Sequence, residues 1–230
     1  MPPKRKPLTE RMAQVERDLE TSDWCTLFHD ALSAFEKRCT LKPKKVVCLG
    51  LGSLSDWAPA RYQLALLLRL CRNFDIPTER IEAFDPVFTK EDTEYLAGLD
   101  MQVATEDMEA RYELIDPTLV FMPHCDLPFY NNLFEINWSR ERLANMILLG
   151  NNLDDYVVSG PTKRVQSKGP LIMKIVPHLS ATSLPNKFPL EDAAFNDLQL
   201  QFVKMSELPP EEDEFWKLDI ASGEKDALAS

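Results

Sequence analysis

The sequence predicts an α/β fold in which a mostly parallel sheet lies between two layers of helices. Short continuous apolar runs recur along the chain, and such runs are typical of strands that are covered on both faces. Segments with helical periodicity separate these runs, and this alternation indicates a parallel sheet. The chain has 230 residues, of which 44% are hydrophobic, so one domain with a sizeable core is expected.

The first half of the chain shows the alternation clearly. Two helical segments come first, at residues 10–20 and then from Ser22, where large apolar residues recur at three- and four-residue spacing. The first predicted strand, 46–49, leads into a glycine turn and a long apolar helix at about 59–73. A second short strand is predicted at 81–84.

The same order continues through the middle of the chain. Thr89 and Asp92 have the spacing of a capping box, which predicts that a helix starts there. A third strand is expected at 101–105 and a fourth at 118–122, and a helix at about 130–137 follows the fourth strand.

The last predicted elements complete the sheet. Ser139 is expected to cap a short helix, and a fifth strand is predicted at 146–149. Two further strands are predicted at 171–176 and 198–203, with an antiparallel hairpin or edge pair as the expected arrangement. The predicted architecture is therefore a Rossmann-like three-layer sandwich with helices on both faces and an antiparallel edge pair.

Charge and composition predict three regions along the chain. Residues 1–8 are basic and are expected to be disordered, residues 9–205 to form a single domain, and residues 206–230 to form a loose acidic tail. The basic run at Lys4, Arg5 and Lys6 is compatible with a nuclear import signal or with an ordinary frayed terminus.

Composition also narrows the classes of protein and partner. The formal net charge of −11 argues against nucleic acid as a partner, because phosphate binding requires a basic face. There is no secretory signal and no apolar run of membrane-spanning length, so a cytoplasmic or nuclear protein without a membrane segment is expected. Five cysteines without a CxxC pair indicate reduced thiols and no metal site.

The candidate site follows from the predicted topology. In a doubly wound sheet, ligands bind beyond the carboxyl ends of the strands, at the point where the strand order reverses. The small and polar residues predicted at those ends are the candidate cofactor-binding residues, namely Gly50, Gly52, Ser53, Asp85, His124 and Asn151. A crevice between these strand ends is the expected binding site.

The glycine turn has two interpretations. Gly50 and Gly52 would let the backbone approach a nucleotide or adenosyl methionine, and Asp85 could accept hydrogen bonds from ribose hydroxyls. The dinucleotide fingerprint is incomplete, however, because Ser55 stands where the third glycine is expected and no acidic residue has the required spacing. The alternative is that both glycines only make a tight turn between a strand and a helix.

The stretch after the fourth predicted strand raises a question of chemistry. His124 is a candidate general acid or base near neutral pH, whereas Cys125 is a weaker candidate nucleophile. Adjacent residues of an extended segment point to opposite faces, which argues against a Cys-His catalytic pair. Either residue could be an axial haem ligand, but no Cys-Pro arrangement is present, so haem is less favoured than adenosyl methionine or a nucleotide.

Four stretches between about residues 44 and 156 carry a recognisable pattern. They read VVCLGLGSLSDWAPARYQLALLL, IEAFDPVFTKEDTEYLAGLDMQV, TLVFMPHCDLPFYNNLFEINW and NMILLGNNLDDY, and AFNDLQLQFV near the end is a further echo. This pattern resembles the sensitivity-to-red-light-reduced (SRR-like) domain family, and MPHC with the following Tyr-Asn and Asn-Trp is its most specific part.

The resemblance implies a eukaryotic cytoplasmic or nuclear protein. Plant members are associated with light input to the circadian clock, animal members with haem biosynthesis and clock-gene expression, and a fungal member with microtubule stability. The family supplies no agreed reaction and no agreed catalytic residues. The leading hypothesis is therefore a regulatory protein with protein partners. The alternatives are an adenosyl-cofactor methyltransferase-like enzyme and a small-molecule sensor without turnover.

Overall fold

The computed structural model of the protein describes residues 5–158 and 163–218. Within these residues, seven strands form one sheet in the order β3-β2-β1-β4-β5-β7-β6. The strands are β1 Lys45–Leu49, β2 Ile81–Phe84, β3 Gln102–Val103, β4 Thr118–Met122, β5 Met146–Asn151, β6 Leu179–Ser183 and β7 Leu198–Val203. The helices are α1 Leu8–Glu20, α2 Asp23–Glu36, α3 Ala58–Asn73, α4 Lys90–Ala97, α5 Leu127–Ile136, α6 Arg140–Ala144, α7 Asp155–Val158, α8 Lys163–Lys168 and α9 Pro170–Ile175.

The sheet is parallel except at β7. Strands β1 to β5 pair in parallel, whereas β7 lies antiparallel between β5 and β6. The chain first builds outward from β1 to β3 and then returns to place β4 on the other side of β1. The switch point therefore lies between β1 and β4, where a ligand crevice is expected.

Helices cover both faces of the sheet, as the sequence predicts. Val46 and Cys48 of β1 pack into a core formed mainly with α1, α2 and α3. Val47 and Leu49, which point to the opposite face, pack with α5, α6 and α9. This alternation of fully buried side chains confirms the three-layer α/β sandwich.

One predicted strand is wrong. Residues 171–176 do not form a strand, because Pro170–Ile175 is helix α9, with a proline in its first turn. Leu171, Ile172 and Ile175 are buried on one side of this helix, which explains the apolar run. The outer antiparallel partner of β7 is instead Leu179–Ser183, a mostly polar, half-exposed strand without the expected apolar pattern.

The chain ends of the described region pack against the domain. Helix α1 begins at Leu8, whose side chain is 3% exposed. Beyond β7, Leu208 is buried, and the ring of Phe215 stacks on Trp138 with 4.9 Å between centroids. The predicted disorder stays a prediction for residues 1–4, and the predicted looseness of the tail for residues 219–230, because these residues lie outside the described ones.

Candidate functional site

Both glycines of the turn after β1 have backbone angles that favour glycine. Gly50 has φ +70° and Gly52 has φ +78°, in the left-handed region. A Cβ atom on Gly50 would overlap the sulfur of Cys125, and one on Gly52 would lie 2.8 Å from the ring of Trp57. The close approaches at these glycines are therefore made to the protein's own side chains.

Asp85, at the end of β2, ties that strand to the glycine turn. One carboxylate oxygen accepts a hydrogen bond from the N–H of Gly52 at 2.8 Å, and the other accepts from the N–H of Val87 at 3.0 Å. The Gly52 N–H is thus engaged within the chain, which leaves this turn poorly suited to cradle a phosphate.

A network of buried polar groups centred on Asp92 stabilises the same turn. Asp92, which is 0% exposed, accepts hydrogen bonds from the N–H of Ser55 at 2.6 Å and from the N–H of Thr89 at 2.8 Å. Thr89 completes the predicted capping box by accepting from the N–H of Asp92 at 3.2 Å. Ser53 belongs to this network through its contact with the Ser55 hydroxyl, 3.0 Å away.

The crevice at the switch point is a cavity of about 310 Å³. Its lining residues are Leu49, Gly50, Phe84, Asp85, Pro86, Asp107, Ala110, Tyr112, His124, Cys125, Asp126 and Phe129. Three of the candidate residues from the sequence, Gly50, Asp85 and His124, thus lie together on its wall. The other three, Gly52, Ser53 and Asn151, lie outside the lining.

His124 and Cys125 differ in what chemistry they can offer. Burial lowers the pKa of His124, and the Ala194 carbonyl and Asp197 act in the opposite direction without cancelling this effect. The imidazole is therefore neutral at pH 7 and can accept a proton. Burial, with the carboxylates of Asp85 and Asp126, raises the pKa of Cys125 to about 12, so its thiol stays protonated and is a poor nucleophile or thiolate ligand.

Asn151 holds the loop that carries Cys125. Its side-chain N–H donates to the carbonyl of Cys125 at 3.0 Å, and its backbone N–H donates to the hydroxyl of Tyr130 at 3.0 Å. The fully buried Tyr130 hydroxyl in turn donates to the carbonyl of Met122 at 2.5 Å. A Cβ on Gly150 would lie 2.7 Å from this hydroxyl, so the glycine makes room for the bridge between β4 and β5.

We expect Tyr130→Phe to lower the free energy of unfolding by about 2 kcal/mol. The substitution leaves the buried carbonyl of Met122 and the N–H of Asn151 without this partner, and each such loss costs about 1–3 kcal/mol before local relaxation. Urea unfolding monitored by circular dichroism measures the change. Tyr95→Phe, on the half-buried side of α4, is the matched control with an expected change of less than about 0.5 kcal/mol. Equal stability of both variants would contradict the assigned role of Tyr130.

The loop between β3 and β4 supplies lining residues that sequence reasoning missed. Asp107, Ala110 and Tyr112 come from this loop, and Glu109 and Ala110 have φ of +49° and +63°. His124 also has a positive φ, +56°. Strained backbone of this kind is often found at binding sites. No periodic pattern marks this loop in the sequence, so only the positions of Asp107 and Tyr112 in space reveal their role.

The cavity wall is acidic and aromatic. It carries the carboxylates of Asp85, Asp107 and Asp126, and no Lys or Arg is among the residues that line it. Within the described ranges, no three His, Cys, Asp or Glu side chains are grouped so that they could hold a metal ion. The acidic groups are therefore spread around the wall rather than gathered at one point.

The fold and the cavity define a Rossmann-like α/β protein with a ligand-type cavity at the switch point of its sheet. The chain belongs to the SRR1 domain family, whose model matches residues 16–202. This match confirms the resemblance seen in the sequence and extends it beyond residues 44–156.

Two curated relatives show how far the similarity reaches. The chain is 29% identical to Protein SENSITIVITY TO RED LIGHT REDUCED 1 of Arabidopsis thaliana, over 90% of this chain and 80% of that protein. It is 30% identical to an SRR1-like protein of Drosophila melanogaster, over 90% of this chain and 72% of that one.

A solved structure is also similar, at a lower level. The crystal structure of a candidate O-methyltransferase from Klebsiella pneumoniae matches with a TM-score of 0.44 and 17% identity, over 88% of this chain and 92% of that one. A likeness at this level carries no argument about activity. Separately, none of the described helices has the length and apolar character needed to cross a membrane.

Proposed function

We propose that this SRR1-family protein is a regulatory protein that acts by binding a small molecule in the cavity at the strand ends. The observation that carries the proposal is the open cavity itself, since an exclusively protein-binding domain could fill that crevice with its own side chains. We further propose, from the resemblance to the SRR-like family, that this action belongs to clock-linked or haem-linked control in the cytoplasm or the nucleus.

The cavity discriminates among the candidate ligands. Haem and dinucleotides carry anionic propionates or phosphates, which three carboxylates on the wall would repel. The protonated thiol of Cys125 also disfavours haem ligation by this residue. Adenosyl methionine carries a positively charged sulfonium, so its charge complements this acidic wall better than the charge of haem or of a dinucleotide does. Nucleic acid is disfavoured as a partner for the same electrostatic reason.

A methyltransferase-like enzyme is the second candidate. The antiparallel β7 inserted next to the sheet edge is an arrangement that methyltransferase folds often have, and this observation favours the candidate. His124, neutral and on the cavity wall, is the residue that could accept a proton from a methyl acceptor. Turnover of adenosyl methionine with an acceptor would distinguish this enzyme from a sensor.

Protein partners are part of the proposal because three exposed apolar side chains line the cavity or adjoin its lining residues in the chain. Val87 is 57% exposed, Met108 45% and Phe129 37%, and each is a lining residue or the direct neighbour of one. Exposed apolar groups beside a cavity favour contact with a partner or with a bound ligand. In a regulator, a partner that binds these groups would respond to whether the cavity holds a ligand.

Native mass spectrometry tests the proposed function. The purified protein is measured as isolated and after separate additions of adenosyl methionine, NAD⁺ and haem. We expect a stoichiometric adduct as isolated or with adenosyl methionine, and an affinity about tenfold lower in Phe129→Ala, which removes part of the cavity wall.

The matched control for this experiment is Leu190→Ala, which removes an exposed apolar side chain that lines a different pocket. The control is expected to retain full adduct formation. Absence of any adduct across the panel, or an adduct that Phe129→Ala and Leu190→Ala weaken equally, would contradict ligand binding in this cavity.

A further inference from the structure

We infer that the cavity takes an organic cation with an apolar or aromatic body, of the sulfonium or quaternary ammonium kind. This inference rests on the proposed function, because it names the chemical class of the ligand for the same cavity. The charges of the wall and its aromatic and aliphatic side chains support it separately.

The charges on the wall are all of one sign. Asp85, Asp107 and Asp126 line the cavity, whereas His124, the lining residue that could become cationic, has a lowered pKa and stays neutral at pH 7. Arg164 is 4.0 Å from the carboxylate of Asp126, but both side chains are mostly exposed, so solvent screens this pair. A cation entering the cavity would therefore meet a net negative wall, to which the exposed and equally screened Asp126 contributes less than the half-buried Asp85.

The remaining wall suits a bulky organic group rather than a bare ion. Phe84, Tyr112 and Phe129 contribute aromatic surface, and Leu49 and Ala110 contribute aliphatic surface. Aromatic rings attract cations through their electron-rich faces, most effectively where water is excluded. A metal ion would need clustered donors, which this wall does not provide among the described residues.

A buried hydroxyl at the same wall has no protein partner. The phenol oxygen of Tyr112 is buried and makes no hydrogen bond within the described part of the chain. Burial, together with Glu82 and Asp107, raises the pKa of Tyr112 to about 12, so the group is a hydrogen-bond donor at neutral pH. Such orphan groups are uncommon in native proteins. Because this oxygen is covered and Tyr112 borders a second pocket as well as this cavity, the hydroxyl does not select among ligands.

Matched pairs of probes test the positive charge directly. S-adenosylmethionine and S-adenosylhomocysteine differ by one methyl group and the positive charge on sulfur. Benzyltrimethylammonium and neopentylbenzene share their shape and differ in charge. Isothermal titration calorimetry or ligand-detected NMR measures each affinity. We expect the cation of at least one pair to bind about tenfold more tightly than its neutral partner.

The carboxylates are tested by isosteric substitutions. Asp107→Asn retains an oxygen for the N–H of Glu109, which Asp107 accepts at 2.8 Å, and Asp126 makes no side-chain cap on α5. We expect Asp107→Asn and Asp126→Asn each to reduce the preference for the cation about threefold to tenfold. Asp116→Asn changes the net charge equally but lies outside the lining, and should leave the preference unchanged.

The outcomes separate this inference from the proposed function. Equal or tighter binding of both neutral probes, or a cation preference that Asp107→Asn and Asp126→Asn leave intact, would overturn the inference. So would failure of both cations to bind. In each of these cases, the proposed function would still hold if native mass spectrometry detected an adduct with a neutral or anionic compound and if Phe129→Ala weakened that adduct.

Discussion

Asp92→Ala is expected to lower the free energy of unfolding by about 3–5 kcal/mol, since it removes a fully buried, hydrogen-bonded carboxylate. The backbone N–H groups of Ser55 and Thr89 lose their acceptor, and the capping box of α4 is lost with it. Asp92→Asn keeps one oxygen and should cost about half as much. Urea unfolding at pH 7 measures both. Asp30→Ala, exposed on α2, is the control, and an Asp92→Ala protein as stable as that control would contradict the role of the network.

The same carboxylate predicts a dependence on pH. Burial acts to raise the pKa of Asp92, but hydrogen bonds from Thr89, Ser53 and Ser55 outweigh it and hold the pKa below its ordinary value near 3.8. Because the folded state binds this proton less readily than the unfolded state, the stabilisation is fully present well above pH 3.8 and is lost as pH falls through the lowered pKa. The stability gap between wild type and Asp92→Asn should therefore be constant from pH 7 to about 5 and shrink below about 4. A gap that widens in acid would contradict this account.

Gly50→Ala is the second substitution with a large expected effect, about 2–4 kcal/mol of destabilisation. Part of the cost is the left-handed backbone at φ +70°, and part is the overlap of the new Cβ with the sulfur of Cys125. Cys125→Ala removes that sulfur, so Gly50→Ala should cost only about 1–2 kcal/mol in that background. A double-mutant cycle by urea unfolding measures this coupling.

Gly98→Ala serves as the control for the glycine prediction. Gly98 ends α4 with φ −66°, an ordinary helical value, so an alanine there adds no left-handed strain. Its expected effect is smaller than about 0.5 kcal/mol. Strict additivity of Gly50→Ala and Cys125→Ala would show that the close approach of the two residues does not restrict the turn.

The sequence predicts the parallel part of the sheet well because its strands are apolar and fully covered. The strands at 46–49, 81–84, 118–122 and 146–149 all appear, with helices on both faces. The error at 171–176 has a physical cause, since a short apolar run fits a buried helix as well as a buried strand. The antiparallel edge was expected, but its outer strand, Leu179–Ser183, is too polar to be recognised from its pattern.

The candidate site could be predicted only in part. The topological rule correctly brings Gly50, Asp85 and His124 to one cavity wall. It could not reveal that the Gly52 N–H and the Asn151 amide are used inside the protein, because those hydrogen bonds depend on side-chain positions. The positions of Asp107 and Tyr112 on the cavity wall could not be predicted for another reason. Both residues lie on a loop whose path no periodic pattern in the sequence encodes.

Hydrogen–deuterium exchange with adenosyl methionine shows directly whether the strand-end cavity is a ligand site. We expect slower amide exchange on binding in the lining segments 107–112 and 123–126, with unchanged exchange in 179–183 on the far edge of the sheet. Phe129→Ala should reduce this protection. Protection confined to other segments, or no protection under conditions where a mass adduct forms, would contradict the assignment of the cavity as the binding site.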